Sequence, residues 1–386
     1  MKIYVSAVMM ENVCKLLQSL IRIPSENNGV TGYENECLTF FYRWLQEHDI
    51  NAQLIYLDDI PEFDRHPGRL VERNLHNRPC VIAELSGTRP GKTLLLLAHA
   101  DTVPVGDLAK WNDNPFSGKI EDGRIYGRGS GDDKWGIAMM GGLLHELKQN
   151  GCDFPGKVVI AAVPDEEFGG GNGTVSAFVI GIKADYAIYL DGGSNETIWY
   201  TGLGGGFCTV SGGDTELVRK TILKTKTAIR ERLNIHPDFG AEFFKIIEKQ
   251  FFLIDELTEG MRFFYDILPG EDEAELKRLF EAQLPGCSFR WMSRFLKASP
   301  GDRQAPLVQA LTQAFQAETG RLPAIMGGIH SDQGLVIVYG RIPCILFGCG
   351  RRGMEGAVHQ PNEFIEISAL KEVYGTIIRL IWHSLF

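Results

Sequence analysis

Five short segments each place an ionisable group where a strand is expected to end or a loop to begin. The first is His99-Ala100-Asp101, directly after four consecutive leucines at 94–97. Side chains two apart on a strand point the same way, so both face the carboxyl edge of a sheet, where α/β proteins bind ligands. Histidine is a common zinc ligand and usually gives its other ring N–H to a carboxylate, a part that Asp101 fits. A hydrogen-bonded pair without metal fits the same two residues. The second segment is Gly127-Arg128-Gly129-Ser130-Gly131-Asp132-Asp133-Lys134, a glycine-rich turn entering a helix. It is not a nucleotide loop: Asp132 stands where the third glycine must be, and G-x-x-x-x-G-K-[ST] is absent. An acid there would also repel a phosphate on the helix N-terminus. With Arg128 two places before Ser130, the G-x-S-x-G elbow of serine hydrolases is absent too.

The third segment, Asp165-Glu166-Glu167, crowds three acids between Pro164 and Gly169-Gly170-Gly171. They repel one another unless something positive lies among them, so they read either as a solvated acidic loop or as metal ligands with a proton-accepting carboxylate. The fourth is Asp191, at the end of an apolar strand, and the fifth is His359, in the segment from Gly356 to Glu363. Singly, these two are an acid capping a loop and a loop histidine. Together the five supply two histidines and several carboxylates, a mixed nitrogen and oxygen donor set that suits zinc, cobalt or manganese.

Helices and strands alternate in the sequence that must position these groups. Helical apolar spacing covers residues 11–23 and 35–48, and a further helix is expected at 134–149. β-rich runs fall at 52–56, 81–85, 93–99, 157–163 and 186–190, with a long loop at 101–131. The texture turns charged and helical at 215–252, followed by a strand at 262–268 and a helix at 271–284. It then reverts to alternation: a helix at 306–318, strands at 337–339 and 343–347, and a final amphipathic helix from Ser368. The fold class read from this is α/β: a catalytic domain with a helix-covered, mostly parallel sheet at 1–198 and 300–386, interrupted by a smaller α+β domain at 199–299.

Composition narrows the function classes. The 386 residues carry 39 basic and 49 acidic side chains, for a net charge of −10, and 44% are hydrophobic. Such a chain buries a large core and lacks the basic stripe of a nucleic-acid binder. No run approaches the about 20 apolar residues of a membrane-spanning helix, and the first ten residues lack the long apolar core of a signal peptide. Eight scattered cysteines without a C-x-x-C pair fit buried, reduced thiols in a cytoplasmic protein.

In order and spacing, the motifs His99-x-Asp101, Gly129-x-x-Asp132-x-Lys134, Asp165-Glu166-Glu167, Asp191 and His359-x-Pro361-Asn362-Glu363 resemble the signatures of a dinuclear zinc hydrolase family. That family includes tripeptidases, aminoacylases, acetylornithine deacetylase and succinyl-diaminopimelate desuccinylase. The similarity begins at Leu20-Ile21-Arg22-Ile23-Pro24-Ser25 and covers nearly the whole chain. The resemblance implies two divalent ions, zinc first and cobalt or manganese as alternatives. His99 and Asp191 would hold one, Glu167 and His359 the other, and Asp132 would bridge both, with a cis peptide after it. It makes Asp101 the holder of His99 and Glu166 the general base toward a water shared by the ions. The charges then balance: −3 from the carboxylates and −1 from a hydroxide against +4. The substrate expected is a small peptide or an N-acyl amino acid, and 199–299 would act as a lid able to pair two subunits.

The chain also departs from that pattern. The His-Ser pair that relatives carry in the lid is absent after Gly206-Phe207-Cys208, and no Arg follows Asp266-Ile267. His330, in Gly327-Gly328-Ile329-His330-Ser331-Asp332, is the substrate-contacting candidate in their place; His236 reads as a loop residue. Trp135 replaces a usual Gly and is expected to narrow the pocket. Asp191, rather than Glu, leans toward the peptidases. The competing reading is a family member that has lost catalysis and binds a small molecule with metal.

Overall fold

The leucine block alternates as a doubly buried strand requires. Leu94, Leu96 and Ala98 lie in one apolar core while Leu95 and Leu97 lie in another, because successive side chains on a strand project to opposite faces. Val158, Ile160 and Ala162 divide from Val159, Ala161 and Val163 in the same way on the neighbouring strand. The structure, a computed structural model, describes residues 6–192, 195–241, 245, 251–349 and 357–384.

The strands are β1 (Ala52–Tyr56), β2 (Pro79–Ser86), β3 (Arg89–His99), β4 (Lys119–Glu121), β5 (Arg124–Tyr126), β6 (Pro155–Val163), β7 (Tyr186–Tyr189) and β8 (Thr197–Gly202). They continue with β9 (Gly204–Ser211), β10 (Ile254–Leu257), β11 (Gly260–Ile267), β12 (Ser288–Trp291), β13 (Ala324–Gly328), β14 (Cys344–Leu346) and β15 (Phe364–Glu366). The main helices are α1 (Ala7–Ile21), α2 (Asn35–Glu47), α3 (Lys134–Gln149), α4 (Asn172–Val179) and α5 (Thr215–Ile235). After them come α6 (Glu273–Glu281), α7 (Pro306–Thr319) and α8 (Ile367–Arg379).

Eight strands form the larger sheet in the order β1-β2-β6-β3-β7-β14-β8-β13. β3 pairs parallel with β6 and β7, β14 with β7, and β13 with β8; β1–β2, β2–β6 and β14–β8 are antiparallel. The sheet is therefore mixed, with its central strands parallel. Helices α1, α2, α3, α7 and α8 contribute the core on one face. The other face packs against α4, the helical turn at Leu335 and Val336, and Ile229 and Leu233 of α5.

A second, antiparallel sheet, β10-β11-β9-β12, has its own core of Cys208, Val210, Ile222, Phe263, Tyr265 and Phe280. The boundary read near residue 199 falls within β8; the chain leaves the larger sheet at Leu203. A third sheet, β15-β5-β4, lies inside the segment read as loop at 101–131, completed from far along the chain.

Other local expectations change. Residues 337–339, expected as a strand, belong to a wide helical turn, Val336–Gly340, that continues Gln333–Leu335. Burial of Leu335 and Val336 against the second core outweighs the β preference of so short a run. The stretch 215–252, expected to be helical, is broken after Ile235, since Pro237 disfavours helical backbone at His236; residues 240, 241, 245 and 251 are helical again, and residues 242–244 and 246–250 lie outside the described residues. Trp135 does not narrow a pocket: it is 1% exposed, inside the first core. Among the described residues, no helix is long and apolar enough to cross a membrane.

Candidate metal centre

Parallel pairing sets the carboxyl ends of β3, β6 and β7 side by side, and three of the acidic or histidine segments emerge there. His99 is the last residue of β3 and is fully buried. The glycine-rich turn then brings Asp132 beneath it, with Asp132 Oδ1 2.8 Å from His99 Nε2. That turn is anchored at its exit by Lys134, whose buried Nζ donates to the carbonyl oxygens of Leu20 and Ile23 at 3.0 and 2.7 Å. A cation there satisfies carbonyls at the C-terminal end of α1. The Asp132–Asp133 peptide is cis, and Asp133 Oδ2 accepts the His99 backbone N–H at 3.1 Å.

His359 arrives through the third sheet. β15 pairs with β5, and Gly127 N–H donates to the Glu363 carbonyl at 2.9 Å, so the loop before β15 lies against the glycine-rich turn. His359 Nε2 lies 2.9 Å from Asp132 Oδ2 and 3.2 Å from Glu167 Oε1. The two Asp132 oxygens therefore face different histidines.

Two groups of three donors result. Ligand atoms of His99, Asp132 and Asp191 lie within 4.8 Å of one another, as do those of Asp132, Glu167 and His359. His359 Nε2 is buried and makes an aligned hydrogen bond to neither neighbouring carboxylate. An imidazole nitrogen aimed among carboxylate oxygens fits a divalent cation at each group.

The electrostatics agree. Burial alone would raise Asp132, but His359 and His99 hold it well below the carboxylate range. Burial would lower His99 and His359; instead, Asp101 and Asp132 raise the first, and Glu167 and Asp132 the second, well above the usual imidazole value. Burial, aided by Asp132, pushes Asp191 up to about 7, and burial raises Glu167 despite His359.

Glu166 stands apart from both groups, its Oε2 3.9 Å from His99 Nε2, and burial pushes its carboxyl well above the ordinary range. Asp101 meets His99 mainly through its backbone carbonyl, 3.0 Å from Nδ1, with its carboxylate at 3.5 Å. The carboxylate instead accepts the backbone N–H groups of Glu166 and Glu167, each at 3.0 Å, and Asn27 Nδ2 at 2.9 Å. His330 lies at the seam with the smaller domain, outside both donor groups: its Nε2 is 3.1 Å from Asp266 Oδ1, and its ring meets Phe264 edge-on. Asp266 in turn pairs with buried Lys226 at 2.8 Å. His236 packs at a tilt against Phe239 in the loop after α5.

Sequence reasoning assigned no role to Glu363 beyond its place in a motif. Its Oε1 accepts backbone N–H groups from Gly129, Gly131 and Asp132 at 3.1, 2.8 and 3.2 Å, and Arg128 Nη1 reaches its Oε2 at 2.5 Å. Arg73, Arg78 and Asn27 were passed over as well. The first two belong to a segment without periodicity, where nothing in the sequence announces that a charge is buried.

A helix-covered, largely parallel sheet whose carboxyl edge gathers paired histidine and carboxylate donors defines a candidate dinuclear metal-binding protein. The chain belongs to peptidase family M20/M25/M40, whose model matches residues 95–383. It is 30% identical over 403 aligned positions to a succinyl-diaminopimelate desuccinylase of Methylobacterium nodulans, covering 95% of this chain and 94% of that one. The desuccinylase of Methylorubrum extorquens is 28% identical, with coverage of 94% and 97%. Among solved structures, the fold is similar to an M20 family metallo-carboxypeptidase of Sulfolobus solfataricus, with a TM-score of 0.71 at 17% identity, covering 97% of this chain and 99% of that one. It is also similar to the dipeptidase Dug1p of Saccharomyces cerevisiae, with a TM-score of 0.70 at 15% identity and 97% coverage of both.

Proposed function

We propose that this metallohydrolase cleaves amide bonds of small peptides or N-acyl amino acids at a two-ion centre. His99 and Asp191 hold one ion, Glu167 and His359 the other, and Asp132 is shared. Zinc is the ion assigned, with cobalt and manganese suited to the same donors. Two such ions, when bound, polarise a scissile carbonyl and lower the pKa of a water.

The observation that carries the reading is the place of Glu166. It lies beside His99 but outside both donor groups, and its carboxyl is raised by burial. A base so placed accepts the proton of the attacking water and returns it to the leaving amine. Asp101 fixes that base through the main chain and orients His99. His330, a quarter exposed at the seam between domains, is the side chain assigned to substrate contact from that side.

Within this class the first assignment is a di- or tripeptide exopeptidase, with an N-acyl amino acid deacylase second. The similarity to a desuccinylase and to a dipeptidase supports both. The domain read at 199–299 acts as a lid and as a homodimer contact, in keeping with Leu217, Ile235 and Leu279 exposed on its helices or at their ends. None of the eight cysteines forms a disulfide and six are buried, which suits a reducing cytoplasm.

The test is amine release from a panel of dipeptides, tripeptides, N-acetyl and N-succinyl amino acids by zinc-loaded protein. Release that stops with chelator, returns with zinc, and falls about 10²–10⁴-fold in Glu166→Gln while bound zinc persists is expected. Stoichiometric zinc with no turnover on any amide would overturn the proposal in favour of a metal-dependent binding protein.

A further inference from the structure

The turn that carries Glu166 and Glu167 is held from behind by a buried chain of charges that the proposed chemistry does not use. Glu34, Arg78 and Asp165 are fully buried and Arg73 is 6% exposed. Arg78 Nη2 and Nε reach the Glu34 carboxylate at 2.5 and 3.1 Å, and Nη1 lies 3.1 Å from Asp165 Oδ1. Arg73 Nε lies 3.2 Å from the same Asp165 oxygen. Its Nη2 donates to the backbone carbonyls of Phe168 at 2.7 Å and Glu167 at 3.3 Å. Asn172 Nδ2 completes the cradle on Asp165 Oδ2 at 2.9 Å.

The turn is thereby gripped on two sets of atoms. Asp101 takes the N–H groups of Glu166 and Glu167, and Arg73 takes the carbonyls of Glu167 and Phe168. The backbone needs such restraint. Asp165 and Phe168 have φ of 66° and 57°, left-handed values that cost a non-glycine residue energy and persist where surrounding contacts over-determine them. Buried ion pairs contribute little net stability against apolar replacements, so stability alone is a weak reason to bury two guanidiniums here. Consecutive glutamates with divergent tasks are a better one: Glu167 faces His359 while Glu166 faces His99.

We propose that Arg73, braced by Asp165 and Arg78, is a positioning residue that fixes the main chain between Glu166 and Glu167, so that one carboxylate joins a donor group and the other stays out of it. This rests on the roles proposed above for the two glutamates. Arg73 itself touches neither donor group; it acts through the carbonyls of the turn.

The test compares Arg73→Met, Arg73→Lys and Glu166→Gln in the zinc-loaded full chain, reading kcat, KM, bound zinc and thermal midpoint. Misplacing a reacting group by about 1 Å costs about 10²-fold. Arg73→Met is therefore expected to lower kcat on that order with KM little changed, and Arg73→Lys to recover part of it, since one ammonium replaces only some of the donors. A folded, zinc-loaded Arg73→Met with parental kcat overturns the inference, as does a loss that Arg73→Lys does not relieve. Where Arg73→Met does not fold, Arg73→Lys is read alone: lowered kcat at unchanged KM supports the inference, and parental kcat overturns it. Full activity in Glu166→Gln removes the base assignment and this inference with it. Loss there beside a parental Arg73→Met overturns only the inference.

Discussion

Glu363 Oε1 accepts the backbone N–H of Asp132 at 3.2 Å, so the side chain shared by both donor groups is set from below by a carboxylate far along the chain. The same oxygen serves Gly129 and Gly131, and Arg128 neutralises the other one. Glu363→Gln keeps the size and removes the charge, and its amide meets Arg128 either with a weaker acceptor or donor to donor. Zinc affinity should fall about 10–100-fold, as for other supports of metal ligands. Competition against a chromophoric chelator measures it; parental affinity would contradict the role of Glu363.

Protons and metal compete at this centre. In the metal-free protein His99, His359, Glu166, Glu167 and Asp191 all have raised pKa values, whereas Asp132 and Asp101 are lowered. The raised groups bind more protons folded than unfolded, so their contribution to stability falls as pH rises through their folded values, Asp191 at about 7 among them. Bound ions replace those protons. The gap in thermal midpoint between zinc-loaded and chelator-stripped protein should widen from pH 6 to pH 9, with protons released on zinc uptake. A gap that narrows over that range sinks the idea.

Leu96 packs on the helix-covered face of β3, fully buried, three residues from His99. Leu96→Ala should cost about 2–5 kcal/mol through lost transfer energy and a cavity. Urea unfolding would show this as a lower midpoint at an unchanged slope.

At the seam between domains, Lys226 and Asp266 are 1% and 2% exposed and 2.8 Å apart. Burial favours protonation of Asp266, but Lys226 and His330 hold its pKa below the usual value. Its contribution is therefore present above the ordinary aspartate pKa and is lost as pH falls through the lower folded value. Lys226→Met leaves the buried Asp266 carboxylate with His330 alone and should cost about 3–5 kcal/mol, whereas Lys226→Met with Asp266→Asn should recover much of it. A double-mutant cycle by denaturation decides the matter.

The residues most legible in the sequence were those with simple geometric rules. Leu94 to Leu97 announced a strand buried on both faces, and that strand delivers His99. The donors gathered by the fold were visible as acids and histidines at strand ends and in loops. What stayed hidden depends on contacts between segments remote in sequence. The β5–β15 pairing that brings in His359 involves strands of three residues, too short for a period-2 signal. Arg73 and Arg78 carry no signal in the sequence, and only the fold encloses them with Asp165. Trp135 had a local context beside the glycine-rich turn, but its direction was set by α3 packing into the core.

The late position of His359 bears on how the molecule is made. A ribosome releases His99, Asp132, Glu167 and Asp191 long before the strand that carries His359 into register, so an unfinished polypeptide holds one donor triad and lacks the other. Translation thus withholds the second triad until β15 has docked, and a message cut short upstream of His359 yields a product without it, however well the larger sheet has formed.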